Sequence, residues 1–188
     1  MSRDAVLNAV RAGKPPKLPL PPPYSAPERA DDPVAEFARI LTIVGGHWHV
    51  ATDLATTLAE ITGPLAEHGP VLDCTSAETS EVAKSATPRS AVIVEGRVGV
   101  AEMGAVWVGP TLLARAYLPV VCHALVVVIT REAIVHSLHE GYARAAQYLK
   151  DEPYGMWIAG PSKTADIEKT LVIGAQGTAA HHIVLKTC

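Results

Sequence analysis

The sequence predicts a three-layer α/β sandwich built on a largely parallel sheet. Short, apolar, β-branched runs at 71–73, 91–94, 124–129 and 182–185 have the length and composition of strands. Between them lie stretches with helical spacing, such as Val34, Phe37, Leu41 and Val44. The run Ala124-Leu125-Val126-Val127-Val128-Ile129 has no polar face, as a central strand covered on both sides requires. At 188 residues the chain is long enough for one domain with a sizeable core.

In order, Asp4 to Arg11 reads as a short helix ending at Gly13. A proline-rich arm follows, Pro15 to Tyr24, whose composition favours polyproline II. It reads as a surface linker, or as an arm that docks a partner subunit through Leu18, Leu20 and Tyr24. Residues 1–33 are therefore set apart from a single domain spanning 34–188. The helix from Val34 is expected to stop at Gly45-Gly46. His47-Trp48-His49-Val50 alternates as a strand does, with both histidines on one face. No third ligand stands at suggestive spacing, so an exposed or hydrogen-bonded pair is expected rather than a metal site. Thr52-Asp53 offers a cap for a helix carrying Leu54, Leu58, Ile61 and Leu65, ended or kinked at Gly63-Pro64. After the strand Val71-Leu72-Asp73, residues 75–88 read as a short helix plus loop, and Ala91-Val92-Ile93-Val94 as a third strand.

Between Val98 and Val108, glycines punctuate short apolar pieces, predicting two strands that meet at a tight bend around Glu102-Met103-Gly104. A carboxylate at such a bend needs a partner. Glu102 is thus a candidate acid, base or nucleophile, or else an acceptor of backbone N–H groups that holds the bend. After the central strand, Thr130 is expected to cap a helix from Glu132 to Lys150. His136, His139 and Glu140 on that helix match no zinc motif and read as a solvated face.

The densest chemistry lies at Gly160-Pro161-Ser162-Lys163-Thr164-Ala165-Asp166-Ile167-Glu168, after the strand-like Met156-Trp157-Ile158-Ala159. Ser162 or Thr164 is expected to cap a helix start, with Asp166 and Glu168 near its positive end. Strand, tight turn and polar helix start would make an anion site at the carboxyl end of a strand, or simply a capped helix.

Composition narrows the function classes. A net charge of −3 leaves no basic footprint for nucleic acid. Cys74, Cys122 and Cys188 stand far apart, which argues against structural zinc, a thioredoxin-like dithiol or an iron–sulfur cluster on this chain. The apolar run from Tyr117 to Ile129 is too short to span a bilayer, and Met1-Ser2-Arg3-Asp4 opens no signal peptide. A soluble, cytoplasmic protein is expected.

The stretch Gly160 to Glu168, with Leu171-Val172-Ile173-Gly174 and Gln176-Gly177, resembles a signature of the bacterial lactate utilisation protein C family, the LUD domain family. Val100-Ala101-Glu102-Met103-Gly104-Ala105-Val106 resembles its second signature, in which threonines stand where this chain has Met103 and Ala105. Gln176-Gly177-Thr178 stands where the family usually shows His-Gly-Pro. The similarity covers Val34 to Lys186. It implies the fold of ribose-5-phosphate isomerase-like, glucosamine-phosphate deaminase-like and coenzyme A transferase-like proteins. It implies a component of an L-lactate oxidation system, working with A-like and iron–sulfur B-like partner proteins, so that any cluster belongs to a partner. On that view Gly104, Gly160, Pro161, Ser162, Lys163, Thr164, Asp166, Glu168, Gln176 and Gly177 line a small-anion site, with Lys163 supplying charge and Glu102 the one catalytic candidate. Two other readings stand beside it: a stand-alone small-molecule enzyme using Glu102, and a non-catalytic assembly subunit, possible also as a homo-oligomer.

Overall fold

The computed structural model describes residues 2–15, 18–22, 30–75, 89–109, 121–150, 154–166 and 169–187. Helix α1 (Arg3–Ala12) is capped by Ser2, stops at Gly13 and buries none of its residues. Helix α2 (Pro33–Ile43) begins with proline in its first turn, where no N–H is lost, and Asp32 accepts from the Val34 N–H. It buries Val34, Phe37 and Leu41.

The main sheet holds β1 (His47–Ala51), β2 (Val71–Asp73), β3 (Arg89–Glu95), β6 (Cys122–Thr130) and β11 (Ala180–Lys186), in the order β1-β11-β6-β3-β2 with every pair parallel. As its unbroken apolar run predicts, β6 is the middle strand, buried from Ala124 to Ile129. A second sheet orders β7 (Ile134–Val135), β4 (Val98–Val100), β5 (Ala105–Val108) and β8 (Met156–Ile158) as β7-β4-β5-β8. A small hairpin, β9 (Lys163–Thr164) with β10 (Val172–Ile173), stands apart from both.

The fold is a three-layer α/β sandwich around the parallel sheet. Helix α3 (Leu54–Ala66) lays Leu54, Leu58 and Ile61 against Ile93, Val126, Val128 and Val184 on one face. On the other face, Phe37 and Leu41 of α2 and Val106 and Val108 of β5 close over Val92, Leu125, Ile129 and Ile183. Fully burying each such side chain contributes about 1.5–3 kcal/mol. Helix α4 (Leu138–Tyr148) covers the outer side of the second sheet through Ala145, beside Val98, Val100 and Trp107. No helix among the described residues is long and apolar enough to cross a membrane.

Three expectations need correction. Of the two outcomes expected at Gly63-Pro64, an end or a kink, the end does not occur, because helix α3 runs through Pro64 to Ala66. The helix after β6 starts at Leu138, not Glu132: Ile134 and Val135 pair with β4, and the Ser137 hydroxyl, not Thr130, accepts the Glu140 N–H. The strand expected at Met156–Ile158 does form, at an edge of the second sheet, antiparallel to β5. No helix starts at Ser162 or Thr164, because the segment enters the β9–β10 hairpin instead. The helix-plus-loop expectation for 75–88 falls almost wholly outside the described residues, as do Tyr24 of the arm, Glu168 and Cys188.

Candidate functional site

The two halves of the 160–177 stretch meet. The Ser162 N–H donates to the Thr178 carbonyl at 2.9 Å, and the Gly174 N–H donates to the Ser162 carbonyl at 2.9 Å. These bonds satisfy the backbone that a helix start would otherwise have satisfied, which is why the hairpin wins. Gly160 and Pro161 are buried. Gly160 holds φ +69, and a Cβ there would collide with the Val44 carbonyl oxygen. Between the halves lies a cavity of about 370 Å³, walled by Met156 to Ser162 on one side and by Gln176, Gly177 and Thr178 on the other. The Ser162 hydroxyl has no partner among the described residues, and the Gln176 amide is exposed at the opposite wall. The cavity therefore offers neutral hydrogen-bonding groups over an apolar floor that includes Trp157 and Ile158.

Lys163 is not in that lining. Its Nζ donates to the Val44 carbonyl at 2.6 Å, just past the last turn of α2, where a cation meets the negative end of the helix dipole. Thr164 Oγ1 accepts the Asp166 N–H at 3.4 Å, a turn contact, and Asp166 is exposed. The cavity sits where β1 and β11 begin, since Val44 precedes β1 and Thr178 precedes β11. That is the amino-terminal end of the parallel sheet, while the turn itself follows the carboxyl end of β8, as the sequence suggested.

The bend at Glu102 forms as predicted: β4 and β5 pair antiparallel on either side of a single 3-10 turn. The carboxylate is exposed and accepts the Leu138 N–H at 2.7 Å, while the Glu102 N–H donates to the His136 carbonyl at 3.1 Å. A negative charge thus sits on the first N–H of α4, a capping arrangement. Gly104 has φ +57, and a Cβ there would stand 2.7 Å from the Leu41 nitrogen of α2. Neither residue lines the cavity.

A histidine cluster was only half legible. His47 and His49 do share a strand face, but the parallel register sets His47 opposite His182. His49 Nε2 lies 3.1 Å from His182 Nδ1, and the His47 and His182 rings stack at 4.7 Å. Burial, then the charge of His47, lowers the His49 pKa. Burial, then His47 and His49, pulls His182 down to about 4. His181, on the opposite face, is completely buried with both ring nitrogens unpartnered among the described residues, and burial above all pulls it to about 4. The missing signal was non-local: strand pairing, not spacing, adds the third ring. Among the described residues no group of three or more His, Cys, Asp or Glu is placed to hold a metal ion. Burial pushes the Cys122 thiol up to about 12, so it is no nucleophile.

The model of the LUD domain family matches residues 46–185, which takes in the bend, the cavity and the parallel sheet as far as Leu185. The chain is also similar in structure to a DUF162 family protein from Deinococcus radiodurans, solved by crystallography. The TM-score is 0.53 at 14% identity, over 81% of this chain and 95% of that one, which establishes the shared fold. No curated protein matches the sequence.

Proposed function

The chain belongs to the LUD domain family, and from that premise we propose that it is a cytoplasmic component of a lactate-to-pyruvate oxidation system. It binds a small carboxylate in the cavity between Gly160–Ser162 and Gln176–Thr178. The observation that carries this reading is the convergence of both parts of one signature stretch, 16 residues apart at Ser162 and Thr178, on a single cavity closed by a 2.9 Å backbone bond. Within it the Ser162 hydroxyl and the Gln176 amide donate to carboxylate oxygens, and the apolar floor takes the methyl end. Redox chemistry and its iron–sulfur cluster lie on partner proteins of the A-like and B-like kind. Lys163, Thr164 and Asp166 hold the hairpin and the end of α2 in place, and Glu102 holds α4.

Melting temperatures with and without L-lactate, pyruvate, phosphate, nucleotides and coenzyme A test the reading. A ligand at about a hundred times its Kd stabilises the folded state by about 2.7 kcal/mol. A shift with lactate or pyruvate that Ser162→Ala removes supports it, and a shift unchanged by Ser162→Ala and Gln176→Ala refutes the cavity.

The assembly reading keeps one specific support. The acid and the lysine of the two signatures are each bonded to a helix end, Glu102 to Leu138 and Lys163 to Val44. A chain that restores lactate oxidation to its partners while binding no carboxylate would establish that role.

A further inference from the structure

A second cavity, of about 330 Å³, opens at the opposite end of the parallel sheet. Trp48, Val34, Val50 and Leu185 give it an apolar lining. Arg131, just past β6, and Lys186, the last residue of β11, stand at its edge. These residues place it at the carboxyl ends of β1, β11 and β6. Open parallel α/β sheets bind ligands at that end, where loops diverge and chain ends leave room. The signature cavity occupies the other end, so the two are separate.

The geometry points to a binding site for a small monocarboxylate with an apolar or aromatic body. The Trp48 ring is half-buried and braced by Phe37, 5.6 Å away between centroids, so one face is held ready for a flat or aliphatic group. Val50 is 55% exposed, an apolar wall left open to whatever enters. No described residue pairs with the Lys186 ammonium. Arg131 meets Asp32 only at 3.6 Å, with both side chains at least half exposed, so its guanidinium is free to turn toward a ligand. Glu132 lies in the same lining and opposes a dianion such as phosphate, whereas a single carboxylate fits on the cationic side. The volume suits a small molecule rather than a coenzyme.

The test is a titration of the ¹⁵N-labelled chain with hexanoate, benzoate and inorganic phosphate, following the indole N–H signals of the tryptophans. The expected result is a saturable shift of the Trp48 signal with hexanoate or benzoate and none with phosphate. Lys186→Glu weakens that binding about tenfold, the effect of losing one favourable charge contact, and Ser162→Ala leaves it unchanged. Lys186 is exposed, and an unmoved signal from buried Trp107 verifies that the variant keeps its fold. The proposal is overturned by binding weaker than about 10 mM, by equal affinity in Lys186→Glu, or by a shift confined to Trp157 of the signature cavity.

Discussion

Replacing Gly104 by alanine separates a structural signature glycine from a ligand-contacting one. The residue holds φ +57, which costs an L-residue about 1–2 kcal/mol. Its new methyl would stand 2.7 Å from the Leu41 nitrogen and 2.9 Å from the Leu41 Cα, both backbone atoms of α2. Neither can rotate away, so α2 and the bend must separate, loosening the packing of Leu41, which is fully buried. A disturbance of that kind in a filled core adds about 1–3 kcal/mol. The sum, about 2–5 kcal/mol, is a large part of the 5–15 kcal/mol usual for a domain. For a chain of this length it lowers Tm by roughly 4–20 °C. Urea or thermal unfolding reads it directly. Met103→Ala, at the exposed neighbouring position, serves as the control and costs under about 1 kcal/mol. A Gly104→Ala chain as stable as Met103→Ala would refute the argument.

Three further outcomes follow from the same contacts. Lys163→Met removes the cation from the end of α2, lowers stability by about 0.3–1 kcal/mol, and leaves carboxylate affinity in the signature cavity within about threefold, as calorimetric titration would read. Glu102→Ala strips the acceptor from the Leu138 N–H and costs about 1 kcal/mol in urea unfolding, while Glu102→Gln keeps an acceptor and costs less. Stability falls with acidity: His181 and His182 titrate near 4 in the folded state, below the ordinary 6.5, so the unfolded chain takes up protons first. Their contribution is present above about pH 6.5 and lost as pH falls toward about 4, by at most about 1.4 kcal/mol per pH unit for His181. Unfolding free energies that stay level from about pH 7 to about pH 5 would contradict this.

What the sequence disclosed was local. The run 124–129 has no polar face, and only the middle of a covered sheet accommodates that; β6 is there. The glycine-punctuated run 98–108 announced its own bend because both strands lie within it. The 160–168 stretch misled because serine, threonine and aspartate satisfy backbone groups in turns as readily as at helix starts. The choice was made by the Thr178 carbonyl, which lies beyond the stretch. Lys163 is explained only by Val44, 119 residues earlier, and His49 only by His182, across a parallel strand pair. Contacts of that separation leave no spacing to read. Ser162, Gln176 and Gly177 line one cavity, whereas Glu102, Gly104 and Lys163, expected at the same site, lie outside that lining, against helix ends and close-packed backbone.

The central claim is that the signature cavity holds a small carboxylate. Backbone amide signals followed during titration with L-lactate and with pyruvate test it most directly. The account predicts saturable shifts centred on Ser162, Gln176, Gly177 and Thr178, abolished by Ser162→Ala. Shifts centred on Trp48 and Lys186 alone, or no saturable shift with either acid, would contradict it.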